Sequence, residues 1–459
     1  MTAREILRIV LVGLGTSVVP LDTAVNIAFP EITGSFGLPI QMIQWVVICY
    51  VLTYASLMLA FGRAGDVWSH GRMFRIGLLW SGLAYLLCAT ASSYGWLLFC
   101  RFLQGIGASL IVSCAPALVT GLFPEDKRSR AVGVFTVMYA IGSAAGPALG
   151  GVLVQIWGWP AVFWFRAPIA VAALLFLEGL PAAPRRGTRE AVDLVGALLL
   201  ALGISALLLM LNQLRSLAQH ISLPLALAAI AAASVIGFIR WEGRVAQPIV
   251  NLALFRAGSF TAVNLASILV YLTSFAVLLF GPYYLVNFAD LSPAMAGGLL
   301  GLSFVGSIVA SPLAAWLIER TPPARVAALG AALGGLGLVA IGYSNPGAPW
   351  QALAIPSALV LQGLGVGLFQ VAYMDIVMRT LPRQHRGVAG SIAMLSRSLG
   401  VVSGATLLTL AFNAIETVRL GAGQPPAASF LSSFSLTLWA AGMASVLGGL
   451  LVLTLPSRS

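Results

Sequence analysis

Charged residues are scarce in this 459-residue chain, at 8% of the sequence against 59% hydrophobic residues. Soluble domains carry about 25% charged residues, so the composition excludes a soluble globular protein and indicates an integral membrane protein. The net charge is +11, but no run alternates basic and aromatic residues as nucleic-acid binding requires. We therefore expect membrane lipids, and no nucleic acid, as partners.

Cysteine and histidine are too few and too scattered to indicate a metal site or a catalytic centre. The four cysteines fall within apolar segments, and their spacing matches no ligand pattern. The three histidines, His70, His220 and His385, lie far apart in predicted loops. A membrane enzyme acting on lipids would need such groups near the bilayer surface, so this alternative is disfavoured. We expect no metal, no cofactor and no catalytic residue.

Long apolar runs dominate the chain instead. A bilayer core needs about 20 apolar residues per helix, and these runs lack the period-2 alternation of a membrane barrel. No small-residue cleavage site follows the charged start, so we expect the first run to be retained rather than removed as a signal peptide. The sequence predicts fourteen transmembrane helices near residues 7–29, 41–62, 73–91, 95–120, 131–155, 160–181, 192–212, 219–240, 258–284, 293–318, 323–343, 350–374, 387–413 and 430–455.

The placement of basic residues predicts the orientation. With a cytoplasmic N-terminus, twenty of the 25 arginines and lysines lie on the cytoplasmic side of the predicted helices. Only Arg215 and Arg419 lie outside, and Arg101, Arg166 and Arg397 lie within helices. Cytoplasmic loops carry such an excess, so both termini are predicted to be cytoplasmic.

An internal repeat divides the chain. Gln104, Gly105 and Gly107 recur 258 residues later as Gln362, Gly363 and Gly365, and other residues keep the same offset over about forty positions. Duplicated halves around a central site are typical of secondary transporters. The offset predicts a six-helix bundle at 1–181, two inserted helices with their connectors at 182–257, and a second six-helix bundle at 258–459.

Four blocks resemble the motifs of one family. They are residues 21–30 (LDTAVNIAFP), 62–72 (GRAGDVWSHGR), 101–108 (RFLQGIGA) and 142–151 (GSAAGPALGG). They are similar to motifs of the major facilitator superfamily, and within it of the fourteen-helix drug:proton antiporters. The resemblance implies an all-α membrane fold of two six-helix bundles with an inserted two-helix hairpin.

Two ionisable residues are candidates for proton coupling. An acid inside a membrane helix is costly and should face a cavity, and burial favours the neutral form of a carboxyl group, so Asp22 is expected to exchange a proton. Arg101, about seven residues inside the fourth predicted helix, needs a partner and would respond to Asp22. The alternatives are that Asp22 anchors a helix end and that Arg101 reaches the headgroups. For Arg166, near the end of the sixth helix, we favour the headgroups over the vestibule.

The other two blocks imply conformational roles. In the loop block, Asp66 and Arg72 would latch neighbouring helices, with Glu319 and Arg320 in the corresponding loop, although Ser69 replaces the usual turn glycine. A basic loop with incidental pairing is the alternative. The fourth block resembles the antiporter motif, in which small residues allow helices to approach closely and a proline bends the helix. Its residues are Gly142, Gly146, Pro147, Gly150 and Gly151.

The resemblance also indicates which helices line a substrate cavity. Aromatic and methionine side chains bind bulky apolar compounds with loose geometry. The candidates are Asn26, Trp45, Tyr50, Tyr54, Met138, Tyr139, Gln362, Gln370, Tyr373 and Arg397. The chain is thus expected to be a proton-driven exporter of hydrophobic or lipophilic-cation compounds in a bacterial inner membrane, working as a monomer. An exporter of one metabolite or antibiotic is the alternative.

Overall fold

The protein is helical throughout the parts that its computed structural model describes, which are residues 3–121, 125–177, 193–213, 221–245, 258–344, 351–380 and 389–453. The N-terminal part contains α1 (Ala3–Ser17), a 3-10 helix (Pro20–Thr23), α2 (Ala24–Ile27), α3 (Phe29–Ser35), a second 3-10 helix (Ile40–Ile43), α4 (Gln44–Trp68), α5 (His70–Ala89), α6 (Tyr94–Gly121), α7 (Glu125–Trp157), α8 (Ala161–Trp164) and α9 (Arg166–Leu177). Then follow α10 (Leu194–Gln213), α11 (Ser222–Glu242), α12 (Gly258–Asn287), α13 (Pro293–Ile318), α14 (Pro323–Gly342), α15 (Gln351–Thr380), α16 (Ala389–Gly421) and α17 (Pro426–Leu453).

Each of the fourteen predicted segments overlaps one of these helices or a run of short ones. Within the described residues, eleven spans are long and apolar enough to cross a membrane, and two shorter apolar helices cover 161–175 and 198–207. The remaining segment corresponds to α5, which is not among these spans. The chain is an all-α, multi-pass membrane protein, and the number fourteen stays a prediction.

The first predicted segment is interrupted, whereas the sequence predicted one continuous helix over 7–29. Its helical turns end at Ser17, resume as the 3-10 helix and α2, and resume again in α3. Pro20 and Pro30 stand in the first turns of the 3-10 helix and of α3. Proline lacks a backbone N–H, so it is tolerated at a helix start and not in a helix interior. Asp22 consequently lies in a short turn rather than in a regular helix.

Two compact units make up the chain. The first comprises residues 1–38 and 45–250, and the second comprises 39–44 and 251–459. In the first unit, α5 packs on α6, α8 and α9, while α7 packs on α1, α2 and the first 3-10 helix. These contacts place the turn of Asp22 against α7.

The inserted helices α10 and α11 pack mainly on each other. At their base, Asp193 Oδ1 accepts hydrogen bonds from the Gly196 backbone N–H (2.8 Å) and from Trp241 Nε1 (2.7 Å). A carboxylate in this position caps the start of α10 and ties it to the end of α11. Both helices belong to the first of the two compact units. The division into three domains at 1–181, 182–257 and 258–459 stays a prediction.

In the second unit, α15 packs closely against α13 and α14, and α12 packs against α16 and α17. Small residues permit these approaches: a Cβ added to Gly335 would lie 2.5 Å from the Gly442 carbonyl oxygen, and one added to Gly400 would lie 2.6 Å from the Ile268 carbonyl oxygen. Membrane helices associate through such close backbone contacts.

Candidate functional site

The described part of the first unit contains a buried ion-pair cluster centred on Asp22. Arg101 of α6 holds this carboxylate with two parallel hydrogen bonds, from Nη1 to Oδ1 (2.7 Å) and from Nη2 to Oδ2 (2.9 Å). The Arg101 side chain is 2% exposed and the Asp22 side chain 12%. A bidentate guanidinium–carboxylate pair is both strong and geometrically specific. The structure thus brings together the two residues expected to couple protons.

Arg166 is the second cation of this cluster. It begins α9, is fully buried, and donates from Nη1 to Asp22 Oδ1 (2.7 Å) and from Nε to the Val162 carbonyl oxygen (3.1 Å). The expectation that Arg166 lies among the headgroups is therefore wrong. The carboxylate and the ring of Tyr85, whose centroid is 4.4 Å from the guanidinium carbon, take the place of water around this side chain.

Gln104 completes the cluster. It lies three residues after Arg101 on α6, so both side chains share one helix face. Its Nε2 donates to Asp22 Oδ1 (2.8 Å), and its Oε1 accepts from Arg101 Nη1 (2.8 Å). Asp22 Oδ1 therefore accepts three hydrogen bonds, and the glutamine fixes Arg101 relative to the carboxylate.

Aromatic rings enclose the two guanidinium groups. The centroid of the Tyr50 ring lies 4.3 Å from the guanidinium carbon of Arg101, and the Phe163 centroid lies 5.8 Å from Arg101 and 5.6 Å from Arg166. Tyr54 stacks on Tyr50 with 6.1 Å between the ring centroids. Cation–π contacts gain strength where water is excluded, so this frame holds both charges inside the unit.

The glycine face of α7 packs against the turn that carries Asp22. A Cβ added to Gly142 would lie 3.1 Å from Pro20 Cγ, and one added to Gly150 would lie 2.7 Å from the Ala24 carbonyl oxygen. A Cβ on Gly146 would collide with Thr23 Oγ1, and this hydroxyl donates to the Ser143 carbonyl oxygen (3.1 Å). The predicted antiporter motif thus positions the ion-pair cluster. Its other members lie in the same helix, Pro147 in the interior and Gly151 buried.

Comparison with known proteins identifies the family. The Major Facilitator Superfamily profile matches residues 10–405 and, in a second match, 263–459. The chain belongs to the Major Facilitator Superfamily. It is 31% identical to the puromycin resistance protein pur8 of Streptomyces alboniger over 431 residues, covering 92% of this chain and 84% of that protein. It is 26% identical to the riboflavin transporter RibZ of Clostridioides difficile (strain 630), covering 88% and 87% of the two chains.

A solved structure supports the fold. The crystal structure of a bacterial homologue of the human lysosomal transporter Spinster superposes with a TM-score of 0.73 at 14% identity, covering 98% of this chain and 97% of that one. The family match makes the chain a membrane transporter of the superfamily, and its relatives include an antibiotic-resistance protein.

The cavity candidates of this superfamily member in its first unit differ in burial. Asn26, Tyr50 and Tyr54 are buried, whereas Trp45, Met138 and Tyr139 are half-buried. The Met138 side chain lies against Gly13 of α1. Of this set, Tyr50 adjoins the ion-pair cluster directly.

Of the candidates in the second unit, Tyr373 belongs to a neutral polar cluster. Tyr373 Oη and Ser396 Oγ each donate to Asn264 Oδ1 at 2.8 Å, and Asn264 Nδ2 donates to the Phe260 carbonyl oxygen (2.8 Å). Arg397 lies with its guanidinium carbon 5.4 Å from the Tyr271 ring centroid. Gln362 accepts a hydrogen bond from Ser303, and Gln370 is exposed. Sequence reasoning missed Asn264, because an asparagine in an apolar helix carries no spacing signal.

The proposed latch residues lie at helix ends: Asp66 near the end of α4, Arg72 at the start of α5, and Glu319 and Arg320 directly after α13. Ser69, between α4 and α5, has φ 95°, a conformation that favours glycine. Arg72 is exposed, and the side chain of Asp66 lies outside the described residues. Glu319 and Arg320 are exposed, and Arg320 Nη1 donates to the Trp316 carbonyl oxygen (3.2 Å). The latch stays a prediction.

Proposed function

We propose that this chain is a proton-coupled exporter of hydrophobic, drug-like compounds in a bacterial cytoplasmic membrane. The observation that carries the proposal is the buried carboxylate of Asp22, held by two arginines in a chain with few other acids in its spans. Ionisable groups inside membrane proteins mark ion pathways and proton relays. The resistance protein named among the relatives supports export, since its name describes protection against an antibiotic.

The cluster links a proton to backbone movement in this proposal. The ionised Asp22 binds α6 through Arg101 and α9 through Arg166. A proton on Asp22 removes the negative charge that holds the two guanidiniums, so the turn between α1 and α2 loses its ties to both helices. The glycine contacts of α7 with this turn carry the change into a long helix, which supports alternating access with Gly142, Gly146 and Gly150 as the moving contact.

Other parts of the proposal rest on sequence. The arginine distribution supports cytoplasmic termini, and the latch residues Asp66, Arg72, Glu319 and Arg320 are proposed to stabilise one conformation. The ten cavity candidates are proposed to contact the compound. The chain is proposed to work as a monomer, because one sequence contains both repeats.

The first experiment is a susceptibility panel in a pump-deficient bacterial host, with neutral, acidic and cationic drugs. Expression of the chain should lower susceptibility to several unrelated hydrophobic drugs, and a proton uncoupler should remove that protection. A panel without any change in susceptibility would contradict drug export.

The second experiment tests proton coupling in energised inside-out vesicles, with the drug that gave the largest effect. Adding the drug should release protons from wild-type vesicles, and Asp22→Asn should abolish the release. Asp375→Asn is the matched control, because Asp375 is a half-buried acid outside the cluster that pairs with the exposed Arg379 (2.6 Å). The double variant Asp22→Asn with Arg166→Gln removes a cation together with the anion, so it keeps the test valid if Asp22→Asn alone fails to fold. Proton release by a folded variant that lacks Asp22 would refute the assignment.

A transporter of one metabolite is the second candidate, and the similarity to a riboflavin transporter favours it. Radiolabelled riboflavin distinguishes the two in the same vesicles. Saturable riboflavin transport without a drug phenotype would support the single-metabolite reading, whereas drug protection without riboflavin transport would support the exporter.

A further inference from the structure

The ion-pair cluster carries more positive than negative charge. One carboxylate, Asp22, faces the guanidiniums of Arg101 and Arg166, which leaves a net charge of plus one. Within the described residues neither guanidinium pairs with a second carboxylate. The enclosing side chains of Gln104, Tyr50, Tyr85 and Phe163 supply hydrogen bonds and ring faces but no negative charge.

The surplus positive charge resides on Arg166. Its Nε and Nη1 each have an acceptor, but its buried Nη2 finds none in the described part of the chain. Arginine carries five N–H donors and remains charged in proteins, so this group keeps an unused donor and an uncompensated charge inside the first unit. Buried charges are ordinarily paired, which makes the second arginine costly unless a ligand makes use of its charge.

The accessible edge of the cluster is Asp22, whose side chain is 12% exposed, while both guanidiniums are at least 98% buried. A ligand group beside this edge lies within a few ångströms of both cations. Charge interactions weaken slowly with distance where little water screens them. The group therefore experiences the net field of the cluster, which attracts anions and repels cations.

We propose that Arg166 is a specificity-determining residue that makes the site favour anionic compounds, such as carboxylates and phenolates, over lipophilic cations. The proposal rests on the proposed export function, because it names the substrate class of the same site. It differs from a purely structural role for Arg166, in which the residue only holds Asp22 in place and the charge of the ligand makes no difference.

The test uses three probes that share one ring system and differ in charge: 2-naphthoate, 2-naphthamide and 2-naphthylmethylammonium. Their binding to the full-length protein is measured by calorimetry in nanodiscs of phosphatidylcholine, whose zero net charge prevents the lipid from sorting the probes. The wild type should bind 2-naphthoate at least about tenfold more tightly than the ammonium probe, as expected for unit charges at short range in a partly screened site.

Three variants separate charge from structure. Arg166→Gln removes the surplus charge but keeps a side-chain donor, and it should reduce the naphthoate preference about tenfold. Arg166→Lys keeps the charge and should retain the preference. Asp22→Asn raises the net charge and should shift the preference further toward naphthoate. A structural role predicts similar losses for all three probes and no change in their ratio.

Several results would overturn the proposal. The wild type alone would overturn it by binding all three probes equally, by preferring the ammonium probe, or by binding no probe. An unchanged ratio of naphthoate to ammonium affinity in folded Arg166→Gln would also overturn it. Failure of the proposed function gives a different pattern. If the susceptibility panel shows no export while the naphthoate preference is present, export is refuted and the charge selectivity of the site stands.

Discussion

The two units share their helix packing and differ in charge at matching positions. Gln104 and Gln362 are related by the 258-residue repeat, yet Gln104 binds Asp22 and Arg101, whereas Gln362 binds the neutral Ser303. The position that matches Arg101, three residues before the repeated glutamine, is occupied by Leu359.

This difference separates what the fold needs from what the proposed chemistry needs. Both units keep glycines where helices approach closely: Gly142 packs near Pro20, and Gly400 packs near Tyr271. The first unit adds a buried arginine, Arg101, at the position where the second unit has the buried apolar Leu359. Since a membrane helix bundle is stable without the charges, their presence in one unit assigns the proposed proton step to that unit.

The largest effect is expected from replacing Asp22, the carboxylate that pairs with both arginines of the ion-pair cluster. Asp22→Asn leaves two buried guanidiniums without a negative partner. Breaking a buried pair in this way costs about 3–5 kcal/mol, so the free energy of unfolding in detergent should fall by about this amount. Denaturant titration of the purified protein, monitored by helical circular dichroism, provides the measurement.

Arg101→Leu is the informative contrast, because it introduces the residue found at the matching position of the second unit. The variant leaves Asp22 paired with Arg166, so the charges balance and the loss should be smaller, about 1–3 kcal/mol. Equal losses for Asp22→Asn and Arg101→Leu would mean that the surplus positive charge of the cluster has no energetic consequence.

A second comparison concerns the glycine face of α7. Gly150 lies against the interrupted helix at Ala24, whereas Leu408 occupies the matching position beside the continuous α12. Gly150→Ala places a Cβ within 2.8 Å of backbone atoms, which cannot move as a flexible side chain would. We expect a loss of about 1–3 kcal/mol from overpacking, together with reduced drug export.

Gly298→Ala is the matched control for Gly150→Ala. Gly298 lies in α13 with no atom within 4 Å of an added Cβ, and alanine is favoured over glycine in a helix interior by about 0.5–1 kcal/mol. Thermal unfolding should show opposite signs for the two variants. Equal stability of Gly150→Ala and wild type would show that α7 can move away from the turn that carries Asp22 without a loss of folding free energy.

The sequence was sufficient for the parts of the fold that depend on local composition. Hydropathy located the helices, and one motif placed Arg101 and Gln104 on the same helix face. The interruption at Pro20 was missed, because an apolar window does not register a missing backbone N–H. The role of Arg166 was missed because its partner, Asp22, is 144 residues away. Whether an arginine near a span end reaches water or a carboxylate is decided by tertiary contacts.

The smallest expected effect concerns two turns, the one between α4 and α5 in the first unit and the one between α13 and α14 in the second. In the first unit this turn requires φ 95° at Ser69, whereas in the second Pro322 provides the turn with φ −53°. A positive φ strains residues with a Cβ, so Ser69→Gly should raise the free energy of unfolding by about 1 kcal/mol. Ser292→Gly is the control with the opposite sign, because the Ser292 hydroxyl caps α13 by accepting from the Met295 N–H (3.3 Å). If both substitutions lower the melting temperature, the strain at Ser69 is offset by contacts of its hydroxyl group, and the two turns are equally well suited to their residues.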